Sequence, residues 1–415
     1  MFKAHFTGLF PALKHRNYKI YRTGQMVSLV GTWMQQLAMS WMVYRLTNSA
    51  FWLGIAGFSS QIPMFFFGLF AGLIVDHVDR HKLLVWTQSL SALQAFTLAF
   101  LTISGRINLT DLIVLNFSLG LINCFDITGR QSFVIQMVKD RADLPNAIAL
   151  NSSVVNLTRL IGPAIAGAAI ASLGEGMCFL LNGASYLAVL LALFSIRVDK
   201  INSPRFDVKK IFKNIEEGYH ATFKNESIRS IIILAAIISF FGSPFINILP
   251  AVAAKLPNGG AKTLGWISAA TGLGSLVAAL FLALKKGPPK LAGVIGAGAV
   301  IIGIFLISLG KSDSLPLVVI SVFFSGMGLM LQLSASNAAI QILVRDDLRG
   351  RVFSFFTLAM FGAGPFGSLL MGYCGEHFGL TWTFMACGIF CTLGSFYFYK
   401  KIQTINQSLQ LHLAK

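Results

Sequence analysis

Acidic side chains are scarce in this chain: 16 Asp and Glu stand against 33 Lys and Arg in 415 residues, and charged residues together make up only 12%. Soluble domains carry about 25% charge, so a water-soluble fold is excluded. Histidine (7) and cysteine (5) are also few. Cys124, Cys178, Cys374, Cys387 and Cys391 fall in or beside apolar runs, without metal-ligand spacing or an aqueous pairing pattern. They read as small packing residues, and neither a metal site nor a cofactor is expected. No Walker-type phosphate loop occurs, which removes ATP as an energy source held by this chain. The amino end lacks a basic start followed by a short apolar run and a cleavage site, so no removable signal peptide is expected.

Apolar residues fill the space that charge leaves, at 55% of the chain with 36 Phe. A bilayer-spanning helix needs about 20 of them in a row. Segments near 22–45, 51–76, 83–104, 110–130, 148–172 and 177–196 qualify, as do 229–254, 263–284, 291–310, 314–338, 351–374 and 379–399. Runs such as "LTRLIGPAIAGAAIASL" are continuous, unlike the alternating segments of about ten residues in a β-barrel. The expectation is an all-α membrane protein of twelve transmembrane helices, its partner the lipid bilayer.

The net charge of +17 raises the question of nucleic acid, and the placement of the cations answers it. Of the 33 Lys and Arg, 27 lie at the two ends and in one set of loops, five (Arg45, Arg106, Lys255, Lys262, Lys311) in the opposite loops, and Arg159 inside a span. The positive-inside rule then puts both termini in the cytoplasm, and no nucleic-acid partner is expected.

Self-similarity divides the chain. Leu53 and Gly54 in "SAFWLGIAG" align with Leu264 and Gly265 in "AKTLGWISA", Gln136 in "FVIQMV" with Gln341 in "AAIQILV", and Pro163 in "LIGPAIAG" with Pro365 in "GAGPFGS". Six spans separate each pair, so two six-helix halves of equal orientation are expected, related by a pseudo-two-fold axis along the membrane normal. The halves are 1–196 and 229–400, joined by a cytoplasmic linker, 197–228, and followed by a tail, 401–415. In the linker, Val208, Ile211, Phe212, Ile215, Tyr219 and Phe223 recur at helical spacing behind Asp207, an N-cap, with Lys209, Lys210 and Lys213 on the other face. This predicts a helix on the cytoplasmic membrane surface. Phe2, Phe6, Leu9, Phe10 and Leu13 predict a shorter one before the first span.

The tight gap "GLIVDHVDRHK" after the second span holds the densest charge. Gly72 permits close helix approach, Asp76 can accept from amides at a neighbouring helix start, and Arg80 and Lys82 can pair beside it. Such contacts, about 1 kcal/mol per exposed pair, suffice to bias a two-state equilibrium. Tight loops also need solvated charge for topology alone. The pattern of Gly72, Asp76, Arg80 and Lys82 resembles the loop signature of the major facilitator superfamily. Two positions depart from it: His77 stands where the family usually has Arg, which would make the loop pH-sensitive, and Asp79 where many members have Gly.

The resemblance extends through "HRNYKIYRTGQMVSLVGTWMQQLAMSWMVYRLTNSAFWLG", "FDITGRQSFV", "DLPNAIALNSSVVNLTRLIGPAIAG" and "CFLLNGASYLAV", which are similar to the branch containing the enterobactin exporter. Thr128 departs from its usual Pro and Gln136 from a common acid. Gly162, Pro163 and Gly167 resemble the family's fifth-span antiporter motif, which the family links with export; generic bending of a membrane helix explains the same residues.

Ionisable groups inside a bilayer are functional candidates. Asp126 and Arg130 share a helix face, and Arg159 on the next span could reach the same region. Asp126 between two arginines stays ionised and, moved away from them, takes a proton; the cluster is equally readable as a structural staple. Spans one, four, seven and ten offer Trp33, Gln35, Gln36, Trp41, Asn247, Gln332, Ser334 and Asn337 to a substrate cavity, a polar and aromatic lining that suits an amphipathic small molecule, with packing between helices as the alternative. The resulting expectation is a monomeric, proton-coupled exporter of a siderophore or drug in the bacterial inner membrane. An importer, or a transbilayer mover of a nutrient or lipid-like molecule, fits the same architecture. A polytopic membrane enzyme finds no convergent His, Asp or Glu cluster.

Overall fold

A computed structural model describes residues 11–138, 140–196, 208–284, 290–345 and 348–413. Among these every regular element is helical. Without water in the hydrocarbon layer, a chain this apolar must satisfy its backbone within each segment. The helices are α1 Arg16–Thr47, α2 Ala50–His77, α3 Arg80–Ile103, α4 Leu109–Met137, α5 Leu144–Leu173 and α6 Glu175–Phe194. After α7, Val208–Lys224, come α8 Glu226–Lys255, α9 Ala261–Leu284, α10 Leu291–Gly310, α11 Leu315–Leu343, α12 Arg349–His377, α13 Leu380–Tyr399 and α14 Ile402–Leu413. Eleven of them, α2 to α6 and α8 to α13, are long and apolar enough to cross a membrane. At 32 residues α1 is the twelfth long helix, more polar because it carries Arg22, Gln25, Gln35 and Gln36.

Short polar signals set the helix starts. Asn108 and Asp111 form a reciprocal capping box at α4 (2.9 and 3.2 Å), and Asn225 caps α8 through the amides of Ser227 and Ile228 at 3.0 and 3.2 Å. The joints before α6 and α13 are glycines in the same conformation, Gly174 (φ 80°, ψ 167°) and Gly379 (φ 82°, ψ 153°). Only glycine adopts that backbone without strain, and its recurrence after the fifth and eleventh spans is a further trace of the internal repeat.

The described residues of Met1–Met42 and Phe66–Phe206 form one compact unit, and those of Val43–Phe65 and Asp207–Lys415 a second. In the first, Tyr18, Leu84, Phe133, Met137, Val189 and Leu193 build a fully buried cluster from α1, α3, α4 and α6. In the second, helices meet through paired glycines. A Cβ on Gly303 would lie 2.7 Å from the carbonyl of Gly388, and one on Gly388 would lie 2.5 Å from that of Gly303, so α10 and α13 touch backbone to backbone. Gly54 and Gly372 do the same for α2 and α12, which explains why the start of α2 groups with the second unit.

Two helices of this unit are broken by π-turns, Ile238–Gly242 in α8 and Leu358–Gly362 in α12. They meet where the Ser239 hydroxyl donates to the Met360 carbonyl at 2.5 Å.

The linker helix α7 is present. Phe2, Phe6, Leu9, Phe10 and Asp207 lie outside the described residues, as do the side chains of Val208, Lys209, Lys210, Ile211, Phe212, Lys213 and Ile215. On the described turns, Tyr219 and Phe223 meet Phe355 of α12 at 6.4 and 6.2 Å, and Glu217 pairs with Arg351. That part of the apolar face is therefore spent on protein. The tail carries the helix α14, and Lys401, just before it, pairs with Glu226 in the first turn of α8 at 2.6 Å, while Ser408 within it meets Ser227 at 3.1 Å.

Candidate functional site

The capping box that starts α4 fixes its register, and Asp126 and Arg130, four apart, then share a face. Asp126 is 1% exposed. One oxygen accepts from the Thr87 hydroxyl at 2.8 Å and the Gln88 amide at 2.6 Å, both on α3, while the other faces the Arg130 guanidinium. Tyr21 and Phe133, edge to face at 5.7 Å, belong to the adjoining core. The result is a buried carboxylate with one cation and two neutral donors. Thr87 and Gln88 were legible as polar residues in an apolar span, "LLVWTQSL", the usual mark of a buried partner.

Arg159 does not join this cluster. Its guanidinium lies over the ring of Trp33 on α1, 5.6 Å from the centroid, and the expected second arginine beside Asp126 is replaced by Thr87 and Gln88. Gly162, one turn on, makes that geometry possible, since a Cβ there would fall 2.5 Å from the Trp33 Cβ. Pro163 and Gly167 are buried on α5, which runs unbroken through the proline.

The residues expected to line a cavity divide. Gln35 is 1% exposed and ties helices together: its amide donates to Gln94 of α3 at 2.9 Å, and its carbonyl accepts from Asn182 of α6 at 2.8 Å. Gln332 is fully buried, packed against Gly298 and donating to Ser336 at 3.2 Å. Asn247 donates to Ser368 at 2.8 Å. Gln35 and Asn247 bond one helix to another, while Gln332 bonds within α11 and packs against α10. Gln36 is exposed on α1, and Trp33 and Trp41 are half-buried there. Ser334 and Asn337 line a cavity of about 420 Å³, with Leu333, Phe353, Phe356, Thr357, Met360 and Phe361. Three of those residues, Thr357, Met360 and Phe361, lie at or in the π-turn of α12, which sequence periodicity does not reveal; the aromatic run "VFSFFTLAMF" was the available signal.

At the charged gap, a Cβ on Gly72 would meet no described atom within 4 Å. Asp76 is on α2, and its side chain lies outside the described residues. Arg80 opens α3 and Lys82 is exposed in its first turn. Asp79, the departure from the family pattern, caps this helix by accepting from the amides of His81 and Lys82 at 3.0 and 3.3 Å. His81 reaches the Leu193 carbonyl at 2.9 Å, holding α3 to the end of α6.

Over residues 7–411 the chain matches the family described as Transmembrane secretion effector. It belongs to that family, within the major facilitator superfamily. The Staphyloferrin A transporter of Staphylococcus aureus is 28% identical, over 95% of this chain and 98% of its own length. The multidrug efflux pump Tap of Mycolicibacterium fortuitum is 24% identical, over 85% and 88%. Among solved structures, an inward-facing, unoccupied bacterial homolog of the human lysosomal transporter Spinster superposes with a TM-score of 0.70 at 12% identity, covering 97% of this chain and 98% of that one. This major facilitator protein is a multi-pass integral membrane transporter of small molecules, with the all-helical fold that its twelve apolar segments led one to expect.

Proposed function

We propose that this transporter exports a small amphipathic compound, a siderophore or a drug, from the cytoplasm in exchange for protons, by alternating access and as a monomer. The observation that carries the reading is Asp126, a carboxylate buried inside a membrane helix and held by Arg130, Thr87 and Gln88. Arg130 pairs with the carboxylate in this arrangement. When the Arg130 side chain swings off the helix face it shares with Asp126, the oxygen it leaves binds a proton, and renewed pairing expels it. A proton taken on one side of the membrane and released on the other drives the cycle.

The name of one relative, a multidrug efflux pump, favours outward movement of drugs, and that of another, a staphyloferrin A transporter, favours a siderophore as the solute. The cavity beside the π-turn of α12 offers three phenylalanines for stacking and Ser334, Asn337 and Thr357 for hydrogen bonds, a lining suited to such a solute. The distribution of cations favours cytoplasmic termini in a bacterial inner membrane. Gly72, Asp76, Arg80 and Lys82 are assigned as a cytoplasmic latch, and Gly162, Pro163 and Gly167 as the bend of the fifth span.

Efflux of a panel of siderophores and amphipathic dyes from everted vesicles under an imposed pH gradient tests the reading. The native protein moves at least one of them with the gradient, and folded Asp126→Asn does not. Gradient-driven transport retained in that variant would remove Asp126 from coupling.

A further inference from the structure

Arg159 is the sixteenth of the 30 residues of α5. At 1.5 Å per residue it stands about 22 Å from the helix start, near the depth of the bilayer centre. Trp33 is the eighteenth of the 32 residues of α1, so the pair lies mid-helix on both elements. A cation at that depth is costly and persists only where it is paired or used.

The other arginines of this unit that enter the spans have polar partners. Arg130 has Asp126, and Arg22 donates to Asn151 at 2.8 and 2.9 Å and to the Leu150 carbonyl at 3.3 Å. Among the described residues, Arg159 meets the face of Trp33 and no carboxylate or carbonyl. A cation–π contact fixes the plane of the guanidinium and leaves its charge and its N–H donors unspent. The exposed apolar residues Leu157 and Ile161 sit two positions to either side, about 200° around the helix, so the cation points away from that apolar face. Gln36, one turn from Trp33 and exposed, adds an amide on the same side of α1.

We infer that Arg159, backed by Trp33, is a subsite for an organic carboxylate near the bilayer centre, so that the transported compound is an amphipathic acid. The inference rests on the reading of this chain as a mover of amphipathic compounds, and it narrows their class. A guanidinium fork matches a carboxylate with two parallel hydrogen bonds. Phospholipid phosphates lie at the ends of the helices, roughly 15 Å from this depth, which favours a solute over a lipid headgroup. Gly162 supports the subsite by letting Trp33 approach α5.

Binding is measured on the full-length protein in phosphatidylcholine nanodiscs, with dansylglycine and its neutral methyl ester as matched probes followed by tryptophan-to-dansyl energy transfer. The native protein binds the acid about tenfold more tightly than the ester. Arg159→Gln abolishes that preference, and Arg159→Lys, which keeps the charge and guards against a folding artefact, retains part of it. Equal binding of acid and ester, binding of neither, or a preference surviving in folded Arg159→Gln overturns the inference. So does loss of acid binding when phosphatidylglycerol is added, which would give the subsite to lipid. The assay needs no gradient, so its outcome is independent of whether Asp126→Asn stops efflux.

Discussion

Glu376, in the last turn of α12, closes on Ser49, 327 residues earlier: its carboxylate accepts the Ser49 hydroxyl at 3.0 Å and, through the same oxygen, the Ala50 amide at 2.8 Å and the Phe51 amide at 3.4 Å. The first amides of a helix have no partner within it, and an anion there also meets the positive end of the helix dipole. A side chain from one helix thus caps another, just beyond the point where Gly54 and Gly372 bring their backbones together.

Replacing Glu376 by Ala removes that cap and is expected to cost about 1 kcal/mol, the usual value of an N-cap. Glu376→Gln, which keeps an acceptor oxygen, loses less. Thermal unfolding of the purified protein separates the two, and equal melting of Glu376→Ala and the native chain would show that the contact contributes nothing.

Neighbouring glutamines on α1 are expected to behave oppositely. Gln35→Leu leaves the amides of Gln94 and Asn182 without their partner inside the bundle and costs on the order of 2 kcal/mol. Gln36→Leu, at an exposed position, leaves stability within about 0.5 kcal/mol. Unfolding midpoints of the two variants that coincide would remove Gln35 from its role as a tie between helices.

Removing Arg130 alone strands a buried carboxylate. Arg130→Gln is therefore expected to destabilise the protein by on the order of 3 kcal/mol, and adding Asp126→Asn in the same chain recovers much of the loss. A double variant no more stable than the single one would mean that the pair is not energetically coupled, as a double-mutant cycle reads directly.

Much of this could be read from the residues alone, for identifiable reasons. Apolar length fixes a membrane helix because the bilayer removes water as an alternative partner for the backbone, so twelve segments were visible without coordinates. The Asp126–Arg130 pair was visible because four residues are one helical turn. Its remaining partners, Thr87 and Gln88, were not placed, since helix-to-helix register depends on packing and not on spacing. Gln35 and Gln332 show the same limit: a polar residue in a span faces either a cavity or another helix, and periodicity within one helix cannot say which.

The acid that caps a distant helix start makes the distinction sharp. The sequence pointed to Asp76 for such a role and gave no sign of Glu376, because the capped amides lie more than 300 residues away in the chain. The π-turns of α8 and α12, which shape the cavity and join Ser239 to Met360, are equally silent in composition.

By itself, then, the sequence determined the solvent, the order of the long apolar helices and the Asp126–Arg130 pair, because each follows from hydropathy or from spacing within a single helix. Tertiary structure alone decided that Arg159 turns to Trp33 and not to Asp126, that Gln35 binds helices together, and that Glu376 caps α2. Those outcomes depend on which helices approach closely enough, through residues such as Gly162 and Gly372, for side chains to meet.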